Sequence, residues 1–238
     1  MTAKTSTKKK LIVLSSAFMF VLLTALALYL FGPFLGILKH KSPLKLAPQF
    51  SDYVVDPDDA NALAGLVDYV FTGRVEKQHK VQYDNIFTRE TEDGEKTIGS
   101  PYTIYDVTIL GSMKGNLKTD NTIQVRKDSG ATMDGQFLVL DEGDYLPEEG
   151  DICVFFVSAQ KDGSLLIAGK NCNTKITESS LTEKKAKNKS AAQIQKLAQD
   201  EEKTIKDSSI YQKLVEACKN EIPFERTRHA APAELLTP

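Results

Sequence analysis

Apolar and polar positions divide the chain into three: an uncharged N-terminal block, a middle of alternating segments, and a polar, helix-forming end. The block from Leu11 to Leu38 carries no charge and is flanked by Lys8, Lys9 and Lys10 on one side and Lys39 and Lys41 on the other. A helix rises 1.5 Å per residue, so residues 11–31 would reach roughly 31 Å, the depth of a bilayer hydrocarbon core. Gly32-Pro33 then ends the helix, because proline lacks a donor and restricts the residue before it. A cleaved leader is the rival reading, with Ala25-Leu26-Ala27 as its processing site. The apolar character continues well past Ala27, however, so a retained anchor is expected. The expected order is a cytoplasmic tail (1–10), a transmembrane helix (11–31), and an interfacial hinge and tether (32–55).

The middle of the chain reads as strands. Asp56 or Asp58 caps a short helix whose Ala60, Leu63, Ala64 and Val67 recur at helical spacing. Residues 68–75, rich in aromatic and β-branched side chains, form a first strand, and Gly73 within it marks a bulge or bend. Residues 78–100 are mostly polar around Asp93-Gly94, and suggest a long loop or a hairpin built on Val81, Tyr83, Ile86 and Phe87. In the second strand Tyr102, Ile104, Asp106, Thr108 and Leu110 alternate with Thr103, Tyr105, Val107 and Ile109. Residues 111–116 are expected to turn. Residues 122–126 make a third strand, with Ile123 and Val125 inward and Gln124 and Arg126 toward water.

A hairpin at Asp162-Gly163 joins strands 152–159 and 164–171. If its turn has two residues, Lys161 faces Ser164 and Cys153 lies opposite Cys172, close enough to bridge. Two buried free thiols are the other outcome, and a one-residue slip would separate the pair. The barrel domain is therefore placed at 56–177, a helical segment at 178–222 and a C-terminal tail at 223–238. Asp207-Ser208-Ser209 breaks the helical segment and offers a fresh cap, after which Ile210, Leu214, Val215 and Cys218 form a stripe.

Composition narrows the chemistry. A net charge of −2 and a pI near 6.0 leave no basic footprint, so no nucleic-acid partner is expected. Three cysteines and three scattered histidines do not make a zinc site, and neither metal nor other cofactor is expected. The acidic stretch from Asp141 to Asp151 resembles a calcium loop only loosely, because its spacing is not that of an EF-hand. Neither a nucleophile elbow nor a phosphate loop is present, so no catalytic residue is assigned and the chain is not expected to be an enzyme.

Taken together, residues 68–75, Tyr102-Thr103-Ile104-Tyr105-Asp106-Val107 running to Lys114-Gly115-Asn116, Gly150-Asp151, and the closing Lys219-Asn220-Glu221-Ile222-Pro223-Phe224-Glu225-Arg226 resemble uncharacterised membrane-anchored envelope proteins of Gram-positive bacteria. That resemblance implies a small five-stranded barrel of the oligonucleotide/oligosaccharide-binding (OB) kind, with a short helix before it and helices packed on it. The order of motifs is also similar to netrin-like domains and metalloprotease inhibitors. Those inhibitors use an N-terminal cysteine, and no cysteine precedes Cys153 here. The expected function is a single-pass, extracellular binding module on the cell membrane, contacting an envelope protein or glycan through a loop with Tyr83, Phe87 and Arg89. An assembly partner for another membrane protein, or a carboxylate-dependent enzyme, are the alternatives.

Overall fold

The computed structural model describes residues 44–92, 94–182, 185, 187 and 189–237. The expected tail, the expected span at 11–31 and residues 32–43 of the hinge lie outside these. Among the described residues no helix is long and apolar enough to cross a membrane.

In chain order the elements are β1 (Lys45–Gln49), α1 (Ala60–Leu66), β2 (Tyr69–Gln78), β3 (Gln82–Thr91), β4 (Gly94–Lys114), β5 (Thr122–Lys127), β6 (Gly130–Ala131), β7 (Phe137–Asp141), β8 (Asp151–Ala159), β9 (Leu165–Ile167), β10 (Asn173–Glu178), α2 (Ala191–Asp207) and α3 (Ser209–Lys219). Five of the strands close a mixed barrel in the order β8-β2-β4-β5-β9 and back to β8. Only β5 and β9 are parallel within it. A closed, five-stranded mixed barrel of this kind is compatible with an OB-like fold.

Alternation decides what lies inside. Tyr105, Val107 and Ile109 of β4 are fully buried, and they meet Phe71, Val75, Ile123, Val125, Phe155 and Ile167 in one apolar cluster. Gly73 is the point where β2 bends: the pairing with β4 shifts between Thr72 and Gly73, and a Cβ there would lie 2.4 Å from Val107 Cγ1. A side chain at that position would be driven into the core.

Three features differ from the expectations. First, residues 45–49 are not free tether but an edge strand, parallel to β7 in a small separate sheet ordered β1-β7-β6. Pro48 is tolerated there because an edge strand can do without its donor. Second, residues 111–114 do not turn: β4 runs for 21 residues and bends only after Lys114. Its length lets it pair with β3 near its start, β5 at its centre and β2 toward its end. Third, the hairpin at Asp162-Gly163 has a three-residue turn, in which the Gln160 N–H donates to the Ser164 carbonyl and Ala159 faces Leu165. The one-residue shift, with β9 ending at Ile167, sets Cys153 opposite Lys175 of β10 and Gly73 of β2 rather than opposite Cys172. Both thiols are free and buried, and burial pushes each up to about 12 from an ordinary 9.0.

Asp59, not the expected Asp56 or Asp58, caps α1, its carboxylate accepting from the Asn61 and Ala62 N–H groups. Ser190 and Gln193 form a reciprocal capping box at the start of α2, and Ser208 ends α2 while capping α3 through the Tyr211 N–H. Leu214 and Ala217 of α3 are buried, and α3 packs on α1. Beyond α3 the chain runs back over the barrel as a strap. The Ile222 N–H donates to Asn61 O at 3.0 Å. Arg228 donates to the carbonyls of Gly65 (2.6 Å) and Val67 (2.9 Å), and Arg226 to that of Leu66 (2.7 Å). These carbonyls at the end of α1 have no helical partner of their own, so two guanidinium groups cap the helix and oppose its dipole. Asp68, 7% exposed, receives Arg226 at 2.6 Å, Arg228 at 3.1 Å and the Ala159 N–H at 2.9 Å.

Candidate functional site

The outer face of β4 and β5 carries the polar positions left over once the barrel interior is filled. Strand register sets them in successive cross-strand pairs: Ile104 with Arg126, Asp106 with Gln124, and Thr108 with Thr122. The two threonine hydroxyls lie 2.8 Å apart, and the Gln124 amide donates to Asp106 Oδ1 at 3.5 Å. Side chains two residues apart share a face and strands rise about 3.4 Å per residue, so Ile104, Asp106, Thr108 and Leu110 make a track of roughly 20 Å.

One end of this track is roofed by the segment that leaves β2. Its N–H at His79 donates to Ile104 O at 2.8 Å, which extends the ladder past the strand and brings His79 Nε2 within 2.7 Å of Asp106 Oδ2. Residues 77–82, with Ile104 and Gln124, then line a groove of about 520 Å³. Lys77 and Lys80 are exposed at its rim. Beside it the Arg126 guanidinium lies 3.9 Å above the Tyr102 ring and is paired with Asp84. Burial raises the Tyr102 phenol, Asp128 adds to the rise and Arg126 opposes it.

The other end of the track enters a second groove, of about 500 Å³, between the barrel and the helices. Thr72, Arg74, Thr108 and Leu110 come from the barrel side, and Ala198, Glu201, Ile205 and Tyr211 from the helices. Glu201 ties the two together, accepting from Ser179 Oγ at 2.6 Å, the Ser180 N–H at 3.0 Å and Arg74 at 3.3 Å. The Thr72 hydroxyl is buried here and has no hydrogen-bond partner among the described residues.

The segment carrying Tyr83, Phe87 and Arg89 is a hairpin of β3 with the first half of β4, so the hairpin reading of residues 78–100 holds. A register shift between Asp84 and Phe87, with Asn85 at φ +51°, separates Tyr83 from the other two. The Tyr83 hydroxyl donates to Ala131 O at 3.0 Å and is held against the small sheet. Phe87 stays 54% exposed, and Ile86 58%. Arg89 lies opposite Lys96, and the next pair is Glu90 opposite Glu95.

The acidic stretch is dispersed. Asp141 accepts from Ser51, Asp151 pairs with Lys175, and Asp144 is buried against Lys127 at 2.5 Å, with Asn173 on the same ammonium at 2.6 Å. Among the described residues no three His, Cys, Asp or Glu side chains are grouped to hold a metal ion. In the sequence Asp106, Gln124 and Arg126 carried only one signal, their polar positions in alternating strands, and His79 carried none; that His79 meets Asp106 follows from the β2–β4 pairing.

No protein-family model matches the chain, and the search of characterised proteins finds no match. The resemblance to Gram-positive envelope proteins therefore rests on the short motifs quoted above.

Proposed function

We propose that this chain is a membrane-anchored, extracytoplasmic binding module whose β4–β5 face takes an extended, hydroxyl-rich ligand, an envelope glycan. The observation that supports this reading is the polar track running from the groove under His79 to the groove beneath α2. Its polar groups, the Asp106 carboxylate, the Gln124 amide and the Thr108 and Thr122 hydroxyls, stand in two adjacent rows and can exchange hydrogen bonds with neighbouring sugar hydroxyls, while Ile104 and Leu110 at either end offer apolar contact to ring faces. The mixed charge of the face suits a neutral or zwitterionic polymer better than a polyanion. The anchor at 11–31 and the outward placement of the domain come from the hydrophobic block and its flanking lysines.

Titration of soluble cell-wall glycan fragments into the detergent-solubilised full chain tests the reading. The D106A/Q124A double variant, checked for an unchanged melting temperature, should bind at least about tenfold more weakly, the equivalent of one lost hydrogen-bonding row. Absence of wild-type binding to any envelope glycan sinks the proposal. Exposed Ile86 and Phe87 favour a second reading, a protein partner held by the hairpin. F87A would then abolish co-purification and leave glycan binding alone.

A further inference from the structure

The first strand leaves its apolar side chains in the open. Leu44 is 37% exposed, Leu46 61% and Phe50 79%. Alternation sets Leu44 and Leu46 on one side of β1, and among the described residues β1 is an edge strand paired with β7 alone. An apolar edge strand facing water is a site of unwanted pairing unless something covers it.

The sequence before it identifies the cover. Only Lys39, His40, Lys41, Ser42 and Pro43 separate Leu44 from Leu38, the end of the uncharged block. Five residues reach at most about 18 Å when fully extended. Lys39 and Lys41 within this connection and Lys45 just after it give the segment a positive charge that complements an anionic lipid surface. We infer that the β1 edge docks on an anionic lipid surface, with Leu44, Leu46 and Phe50 seated among the headgroups. This rests on the anchor reading above and goes beyond it: the β1 edge itself is a lipid-contacting surface.

The chain contains no tryptophan, so a single indole reports its own surroundings. The full-length variants L46W and F50W are reconstituted in vesicles of phosphatidylcholine and phosphatidylglycerol at about 3:1, with and without brominated lipid. I222W, at a position 51% exposed on the strap, serves as the reference. The L46W and F50W indoles should emit to the blue of I222W and be quenched about twofold or more by brominated lipid, as interfacial aromatics are. A chain that floats with alkali-washed vesicles yet shows an unquenched, water-like L46W overturns the docking and leaves the anchor standing. A chain that does not float overturns the anchor and the docking with it. A blue shift that grows with protein-to-lipid ratio without bromine quenching assigns the edge to a second copy, and also overturns the proposal.

Discussion

The strap across α1 and the β3–β4 hairpin are opposite solutions to the same problem, a segment that cannot stand without a neighbour. At the strap the polar groups are matched: three helix-end carbonyls meet two arginines, and Asp68 holds both arginines and a buried N–H. Gly65 lets the strap approach so closely that a Cβ there would fall 1.6 Å from Ile222 O. At the hairpin two successive cross-strand pairs bring like charges together, and large apolar side chains are exposed. Like charges directly opposite weaken a ladder. A region whose local choices disagree with its fold is where function is expected, and one whose choices agree is where stability resides.

The largest effect should come from breaking the strap. D68A strands the Ala159 N–H and frees both guanidinium groups, and it should cost about 3 kcal/mol, read as a lowered urea midpoint. A loss under about 1 kcal/mol would mean that the arginines find other partners and the contrast is weaker than drawn. G65A keeps every charge but forces the strap outward, with an expected loss of about 2 kcal/mol. The smallest effect belongs to the hairpin. R89E turns a like-charged pair with Lys96 into an opposite one and should raise stability by a few tenths of a kcal/mol. If R89E instead destabilised as much as G65A, the hairpin would be a structural element rather than the loose one.

Much of the barrel was legible because it depends on short-range patterning. The alternation in residues 102–110, the bend at Gly73 and the serine cap at 208 are consequences of side-chain periodicity and local hydrogen bonding, whereas the start of α2 at Ser190 was not marked. Polar Gln124 and Arg126 could be assigned to an outer face on the same ground. Their assembly with His79 into a roofed groove could not, because it requires β2 to run on beside β4 past its own last residue. The cysteines show the limit most sharply. A three-residue turn at Asp162-Gly163 shifts the β8–β9 register by one, and β9 ends at Ile167, so that the stretch of β8 carrying Cys153 pairs instead with β10 and sets Cys153 opposite Lys175.

The sequence by itself determined the uncharged N-terminal block, the main barrel strands, the helices and the inward face of β5, since all depend on side chains a few residues apart. Only the tertiary structure decided that residues 45–49 pair with β7, that the strap beyond α3 caps α1 through Arg226 and Arg228, and that the β4–β5 face joins two grooves. Those arrangements bring together groups far apart along the chain, and their stability comes from burial and hydrogen bonds that exist only once the barrel has closed.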